Sequence, residues 1–200
     1  MSTLHIIASP RGERSKSIEL GKFAVERIGG ENTSSDLFID NVPYLSESVI
    51  ALNYGFAKYE DLTPKDQIIV DLQTRYIKEL TSAETLIISV PMWNFSMPAV
   101  LKAWFDLIIK VNTTFSMGPE GYKGLVHNVK KVIIVGARGG VYQNTAFQAY
   151  DMLEPQIRAL LSFIGITNIE TYWIEGVNMN PEATEENMAK IKEEMSVNMK

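Results

Sequence analysis

Five short apolar runs, at residues 4–8, 36–39, 85–90, 131–135 and 169–174, divide the chain at intervals too long for hairpins. Three of them are continuous rather than alternating in polarity. That pattern marks strands covered by helices on both faces, as in a parallel sheet. The intervals carry matching helical signals. From Ser17, Ile18, Leu20, Phe23, Ala24 and Ile28 recur at helical spacing and stop at Gly29-Gly30, which can take the left-handed geometry of a helix end. Thr63-Pro64-Lys65-Asp66 supplies a capping hydroxyl, a first-turn proline and an acid ahead of Ile68, Ile69, Leu72, Tyr76, Ile77 and Leu80.

After the third run, Pro98 opens a segment in which Val100, Leu101, Trp104, Phe105, Ile108 and Ile109 form a wide apolar stripe. Core packing accounts for most of it, and a subunit interface for the remainder. A further helix is expected from Pro155 to Phe163, before Gly165, and a polar, solvated one from Pro181. Strands and helices thus alternate five times. Right-handed crossovers then predict one α/β domain over residues 1–200: a doubly wound, five-stranded parallel sheet of order 2-1-3-4-5 with helices on both faces. Residues 41–62 and 111–128, rich in Tyr, Phe, Gly and Ser, read as long loops, either functional lids or disordered.

Composition narrows the function. The 200 residues carry a net charge of -5, which disfavours nucleic acid and anionic membrane surfaces as partners. No cysteine is present, excluding disulfides, thiolate nucleophiles and cysteine-ligated metal centres and favouring the cytoplasm. No apolar run approaches the roughly 20 residues of a membrane span, and the N-terminus lacks the layout of a secretory signal. His5 reads as a packed core residue and His127 as a solvated one. With two histidines and no acidic cluster at ligand spacing, no metal site is expected.

In a sheet of this order ligands sit beyond the carboxyl ends of the first, third and fourth strands. The first loop, Ser9-Pro10-Arg11-Gly12-Glu13-Arg14-Ser15-Lys16-Ser17, enters a helix whose free amides, hydroxyls and dipole suit a phosphate. Arg11, Arg14 and Lys16 add positive charge, Glu13 must point away, and with Ile18 three residues after Ser15 no acid closes a capping box. The same serines could simply cap a helix. It is neither a Walker loop nor, without cysteine, a phosphatase loop. The second loop, Pro91-Met92-Trp93-Asn94-Phe95, offers flat and polarizable surface with one amide, suited to a planar heteroaromatic ring. The third, Ala137-Arg138-Gly139-Gly140, lets backbone N–H groups approach a ligand closely, although a plain Gly-Gly turn would read the same way.

With these residues, and with Thr114-Phe115, Gly118-Pro119-Glu120-Gly121 and Phe163-Ile164-Gly165-Ile166, nearly the whole chain resembles the FMN-dependent NADH azoreductases, also described as FMN-dependent NADH:quinone oxidoreductases. The resemblance implies a flavodoxin-like fold and bound FMN. Its phosphate would lie on Ser9, Arg11, Ser15, Lys16 and Ser17, its ring along Pro91, Met92, Trp93, Asn94 and Phe95, and its pyrimidine side near Ala137, Arg138, Gly139 and Gly140. It further implies a homodimer in which Phe115 and Phe163 build a substrate pocket across the interface, which would explain the broad stripe of residues 100–109. NAD(P)H would reduce the flavin and leave, and a quinone or azo compound would then take two electrons. No acid-base side chain is required, and Tyr142 is the candidate hydrogen-bond donor. Three positions depart from the family's usual residues: Trp93 for Tyr, Ala137 for Ser and Tyr142 for His. Two other readings of the same features are a flavodoxin-type electron carrier, whose phosphate loop is usually more compact and whose surface is more acidic, and an NAD(P)H:FMN reductase.

Overall fold

The structure is a computed structural model that describes residues 1–199. Strands β1 (Ser2–Ile7), β2 (Glu31–Asp36), β3 (Thr85–Pro91), β6 (Lys131–Ala137) and β7 (Ile169–Ile174) form one parallel sheet in the order β2-β1-β3-β6-β7. A separate antiparallel hairpin, β4 (Phe115–Gly118) with β5 (Gly121–Gly124), lies between the third and fourth strands of that sheet in sequence. The expected order 2-1-3-4-5 is therefore observed once the two hairpin strands are left out of the count.

Alternate residues of the central strands face opposite apolar layers. Leu86, Ile88, Val132 and Ile134 pack with helices α3 (Pro64–Ser82), α4 (Ala99–Ile108) and α5 (Leu153–Phe163). Ile87, Ile133 and Val135 pack with α1 (Lys16–Ile28) and α6 (Pro181–Asn198). All seven residues of β3 are buried, which is why that run is apolar without alternation. Among the described residues no helix is long and apolar enough to cross a membrane.

Helix boundaries follow their chemistry. The Ser15, Thr63 and Asn180 side chains accept first-turn N–H groups of α1, α3 and α6, with proline in the first turn of the last two, and α1 closes at Gly29 with φ 65°. Helix α5 begins at Leu153, two residues before Pro155, because Asp151 Oδ1 accepts the N–H groups of Leu153 and Glu154 at 3.0 and 3.3 Å.

Two expectations are corrected. The second strand is not residues 36–39 but the polar segment Glu31–Asp36. An edge strand needs little apolar surface, and Leu37, Phe38 and Ile39 instead form the turn beyond it, where Leu37 is buried and Phe38 lies 6.2 Å from the Trp93 ring. Residues 41–62 contain a short helix α2 (Glu47–Asn53) capped by Ser46, and residues 111–128 contain the β4–β5 hairpin; neither is structureless. Of the stripe on α4, Val100 and Ile109 are half-buried, while Leu101, Trp104, Phe105 and Ile108 are fully buried, as core packing for most of it requires. Burial of each fully buried side chain contributes about 1.5–3 kcal/mol, so no subunit interface is needed to explain them.

One polar chain runs beneath the sheet's ligand end. The buried Ser89 hydroxyl donates to the Ser17 carbonyl at 2.9 Å, so its oxygen accepts from His5 Nε2, 2.8 Å away. Gly21 makes this contact possible: a Cβ there would stand 2.0 Å from Ser89 Oγ. Burial, with a smaller contribution from Lys22, lowers the His5 pKa to about 4. The unfolded chain then binds the proton more readily below pH 6.5, so the neutral histidine's contribution is complete above pH 6.5 and is lost as pH falls toward 4. Urea unfolding should show stability declining over that window by up to roughly 3 kcal/mol from this group. His5→Gln should flatten the slope between pH 6.5 and 5; an unchanged slope would remove His5 as its source.

Candidate functional site

A cavity of about 250 Å³ opens at the carboxyl end of the sheet. The loop after β1 contributes Ser9, Arg11, Arg14, Ser15 and Lys16, the loop after β3 Pro91, Met92 and Trp93, and the loop after β6 Ala137 and Gly139. Nine of the residues expected to hold a cofactor thus line one space with Arg14. A fourth wall, missed in the sequence, comes from the β7–α6 connection and the start of α6: Val177, Asn178, Pro181, Thr184 and Glu185. The signal was available, because every strand-to-helix turn of a parallel sheet emerges at the same end and Asn180-Pro181 marks such a turn.

At one end of the cavity, Ser15 caps α1 by accepting the Ile18 N–H at 3.4 Å and lies 3.1 Å from the Ser17 hydroxyl. Among the described residues, the Lys16 and Ser17 N–H groups, the first two of the helix, have no acceptor, as expected of an anion site. Ser17 itself is buried and contributes its backbone rather than an exposed hydroxyl to this end. Arg11 and Arg14 are exposed cations at the rim, and Glu13 turns away to Lys22 at 2.7 Å. Lys16 is already paired, with Glu185 at 2.6 Å and Glu19 at 3.2 Å. Its pKa is raised, chiefly by the hydrogen bond to Glu185.

The second loop is a tight reversal. Trp93 and Ser96 exchange both backbone hydrogen bonds, at 2.9 and 3.0 Å, around Asn94 and Phe95, whose φ angles are 47° and 70°. Two consecutive positive φ values define a type I′ turn, in which Asn suits the first position and Gly the second. Phenylalanine at the second is strained by about 1–2 kcal/mol. In return the Trp93 and Phe95 rings are held about half exposed, and among the described residues the Asn94 and Phe95 N–H groups have no acceptor. Phe95 packs on Tyr150 at 5.6 Å.

The third loop is zipped to the β7–α6 connection. Val177, Asn178 and Gly176 donate their N–H groups to the Arg138, Gly139 and Gly140 carbonyls at 3.1, 3.3 and 3.0 Å. A side chain at Gly139 would displace that of Asn178, since a Cβ would meet its Nδ2 at 2.6 Å. Among the described residues its N–H and that of Gly140 have no acceptor. The Arg138 side chain, expected at the cofactor, is 1% exposed and does not line the cavity. It stacks 3.9 Å from the Trp173 ring and pairs with Asp151, Glu175 and Glu154.

Asn94, Phe95, Gly140 and Tyr142 border these loops without lining the cavity. The Tyr142 ring lies 5.7 Å from the Arg138 guanidinium, and its N–H donates to Glu175. Phe115 of β4 and Phe163 at the end of α5 do come together, at 4.8 Å, joined by Tyr122 of β5 at 6.1 and 5.3 Å, but none of the three lines this cavity.

The site therefore has free amides at three loops, cations at one end and flat apolar side chains along its length, a donor set that fits a phosphorylated heteroaromatic cofactor. A profile of the flavodoxin-like fold matches residues 1–198. FMN-dependent NADH:quinone oxidoreductase 2 of Trichormus variabilis is 37% identical over 196 residues, covering 95% of this chain and 94% of its own. The FMN-dependent NADH:quinone oxidoreductase of Shewanella loihica is 38% identical over 165 residues, covering 82% and 80%. Among solved structures, azoreductase AzrA superposes with a TM-score of 0.88 at 28% identity, covering 100% of this chain and 99% of that one. The chain belongs to the FMN-dependent NADH:quinone oxidoreductase family, on the flavodoxin-like fold.

Gly136 tests the packing beneath the third loop, because a Cβ there would stand 1.9 Å from Trp173 Cζ3. Gly136→Ala should cost about 2–3 kcal/mol in urea unfolding by overpacking, and a wild-type midpoint would contradict the observed closeness.

Proposed function

We propose that the protein is an oxidoreductase that binds FMN in this cavity and passes two electrons from NAD(P)H to quinones and aromatic azo compounds in a ping-pong sequence. The observation that carries the reading is the convergence of unsatisfied amides from the loops after β1, β3 and β6 on one sheet end, with Arg11 and Arg14 at one side. The names of the relatives support it: two are FMN-dependent NADH:quinone oxidoreductases and one is an azoreductase.

When bound, FMN supplies the redox chemistry, taking a hydride from the nicotinamide and giving two electrons to the acceptor. The Lys16 and Ser17 N–H groups, Arg11 and Arg14 bind the phosphate, and the capping hydroxyl of Ser15 with Ser9 orients that loop. Pro91 and Met92 form the wall beside the ring, and Trp93, Asn94 and Phe95 border it. The Gly139 and Gly140 N–H groups stabilise negative charge at the ring's electron-accepting edge, the preorganised arrangement that costs no reorganisation when charge develops. Ala137 leaves that edge uncrowded. Tyr142 is the proposed hydrogen-bond donor to substrate. Phe115 and Phe163, which lie apart from the cavity of their own chain, would line the substrate space of a second copy in a homodimer. The absence of cysteine is what supports placing this activity in the cytoplasm.

The purified protein should be yellow and should oxidise NADH rapidly on addition of menadione or a simple azo dye, with parallel double-reciprocal lines. A colourless preparation that FMN does not reconstitute would overturn the proposal, and a stable blue form without NADH oxidation would make the protein an electron carrier. Arg11→Ala and Arg14→Ala should each weaken FMN about tenfold by removing a charge-assisted contact, while riboflavin, which lacks the phosphate, should bind as before.

A further inference from the structure

Arg138 is the most completely buried cation among the described residues, and its guanidinium links three segments that are distant in sequence. Nη1 donates to Glu175 at 2.9 Å; Nη2 pairs with Asp151 and stands 3.7 Å from Glu154. Each carboxylate has a second task. Glu175 accepts the N–H groups of Tyr142 and Gln143 at 3.1 and 3.2 Å. Asp151 caps α5, and Glu154 accepts from Trp173 Nε1 at 2.6 Å and from Arg158 at 2.8 Å. The guanidinium is further held flat on Trp173, and Trp173 occupies the space that Gly136 leaves empty. Arg138 Nε has no partner among the described residues, a cost that a residue serving only to fill the core would not incur.

The consequence lies in the peptide planes. In a planar trans peptide the N–H points opposite to the preceding carbonyl. The Arg138 and Gly139 carbonyls are bound by the Val177 and Asn178 N–H groups, so the N–H groups of Gly139 and Gly140 are directed away from the β7–α6 connection. The direction of the two amides depends on that connection and the third loop staying in register. Glu175 begins the connection, and Arg138 begins the loop.

We propose that Arg138 is a positioning residue. Clamped by Glu175 and Asp151, it fixes the direction in which the Gly139 and Gly140 amides present themselves to the flavin ring edge, and it touches neither flavin nor substrate. The inference rests on FMN binding in this cavity, but the clamp exists in the apoprotein and can be tested there.

Hydrogen exchange by mass spectrometry on apoprotein should show residues 136–143 and 174–178 exchanging at least about tenfold faster in Arg138→Lys, which keeps the charge but loses the two-pronged geometry. Glu175→Gln, a smaller change that keeps the shape, should move the same peptides less. In the FMN-loaded proteins, FMN and riboflavin affinities should fall by a common factor of about ten, because the ring end is disturbed and the phosphate end is not. The midpoint potential of the bound flavin should move toward that of free FMN. A purely structural role predicts a lower melting temperature with unchanged local exchange, unchanged potential and unchanged spectrum below melting; that result in both variants overturns the proposal. If Arg138→Lys fails to fold, Glu175→Gln decides alone by the same readouts. Should the wild-type protein bind no FMN, the proposed function fails, and the apoprotein exchange still judges the clamp.

Discussion

Burial of the central strands on both faces is the constraint from which the rest follows. β3 presents no exposed residue, and β6 almost none, so apolar layers must cover the sheet above and below. Each parallel strand must then be followed by a crossover helix, and each strand-to-helix turn emerges at the same edge. Four such turns, after β1, β3, β6 and β7, enclose the cavity. The position of the site is thus a consequence of how the core is buried, and the loop sequences determine only what the site can bind.

Within those loops the backbone is arranged to leave donors free. In the third loop the Arg138, Gly139 and Gly140 carbonyls accept from the β7–α6 connection while, among the described residues, the Gly139 and Gly140 N–H groups have no acceptor, and neither have the Lys16 and Ser17 N–H groups at the start of α1. The second loop reaches a similar state through strain, with Phe95 in a conformation that glycine would adopt more easily. Unsatisfied donors and strained residues are costly in a folded chain and persist where surrounding structure holds them. Here the Trp93–Ser96 hydrogen bonds, the zipped connection and the helix cap do the holding. The chain of His5, Ser89 and the Ser17 carbonyl ties the base of the phosphate loop to the sheet, and Gly21 allows α1 to approach closely enough for it.

Side chains divide accordingly between binding and support. Arg11 and Arg14 stay exposed at the rim, while Arg138, the cation of the Arg-Gly-Gly motif, is buried under its own loop. A motif read along the chain cannot separate the two cases, because arginine beside glycines suits an anion site and a buried ionic clamp equally. The deciding factors were Asp151, Glu154 and Glu175, which come from 13 to 37 residues away.

Much of the fold was legible in sequence because its signals are local. Continuous apolar runs identified β1, β3 and β6 and a more mixed run identified β7, caps such as Thr63-Pro64 placed helix starts, and the crossover rule then supplied the strand order. The loops that line the cavity were legible for the same reason, since each adjoins a strand end. What misled was apolarity serving something other than the sheet: Leu37-Phe38-Ile39 resembles a strand but turns toward Trp93, while the true edge strand is polar because one side of it needs no partner. The stripe on α4 read mostly as core in the sequence, and its burial by the surrounding helices showed which members, Leu101, Trp104, Phe105 and Ile108, that reading covers. The Lys16–Glu185 pair and the burial of Arg138 were decided by tertiary structure. Each depends on which distant segment packs beside a residue, and periodicity along a chain carries no record of that.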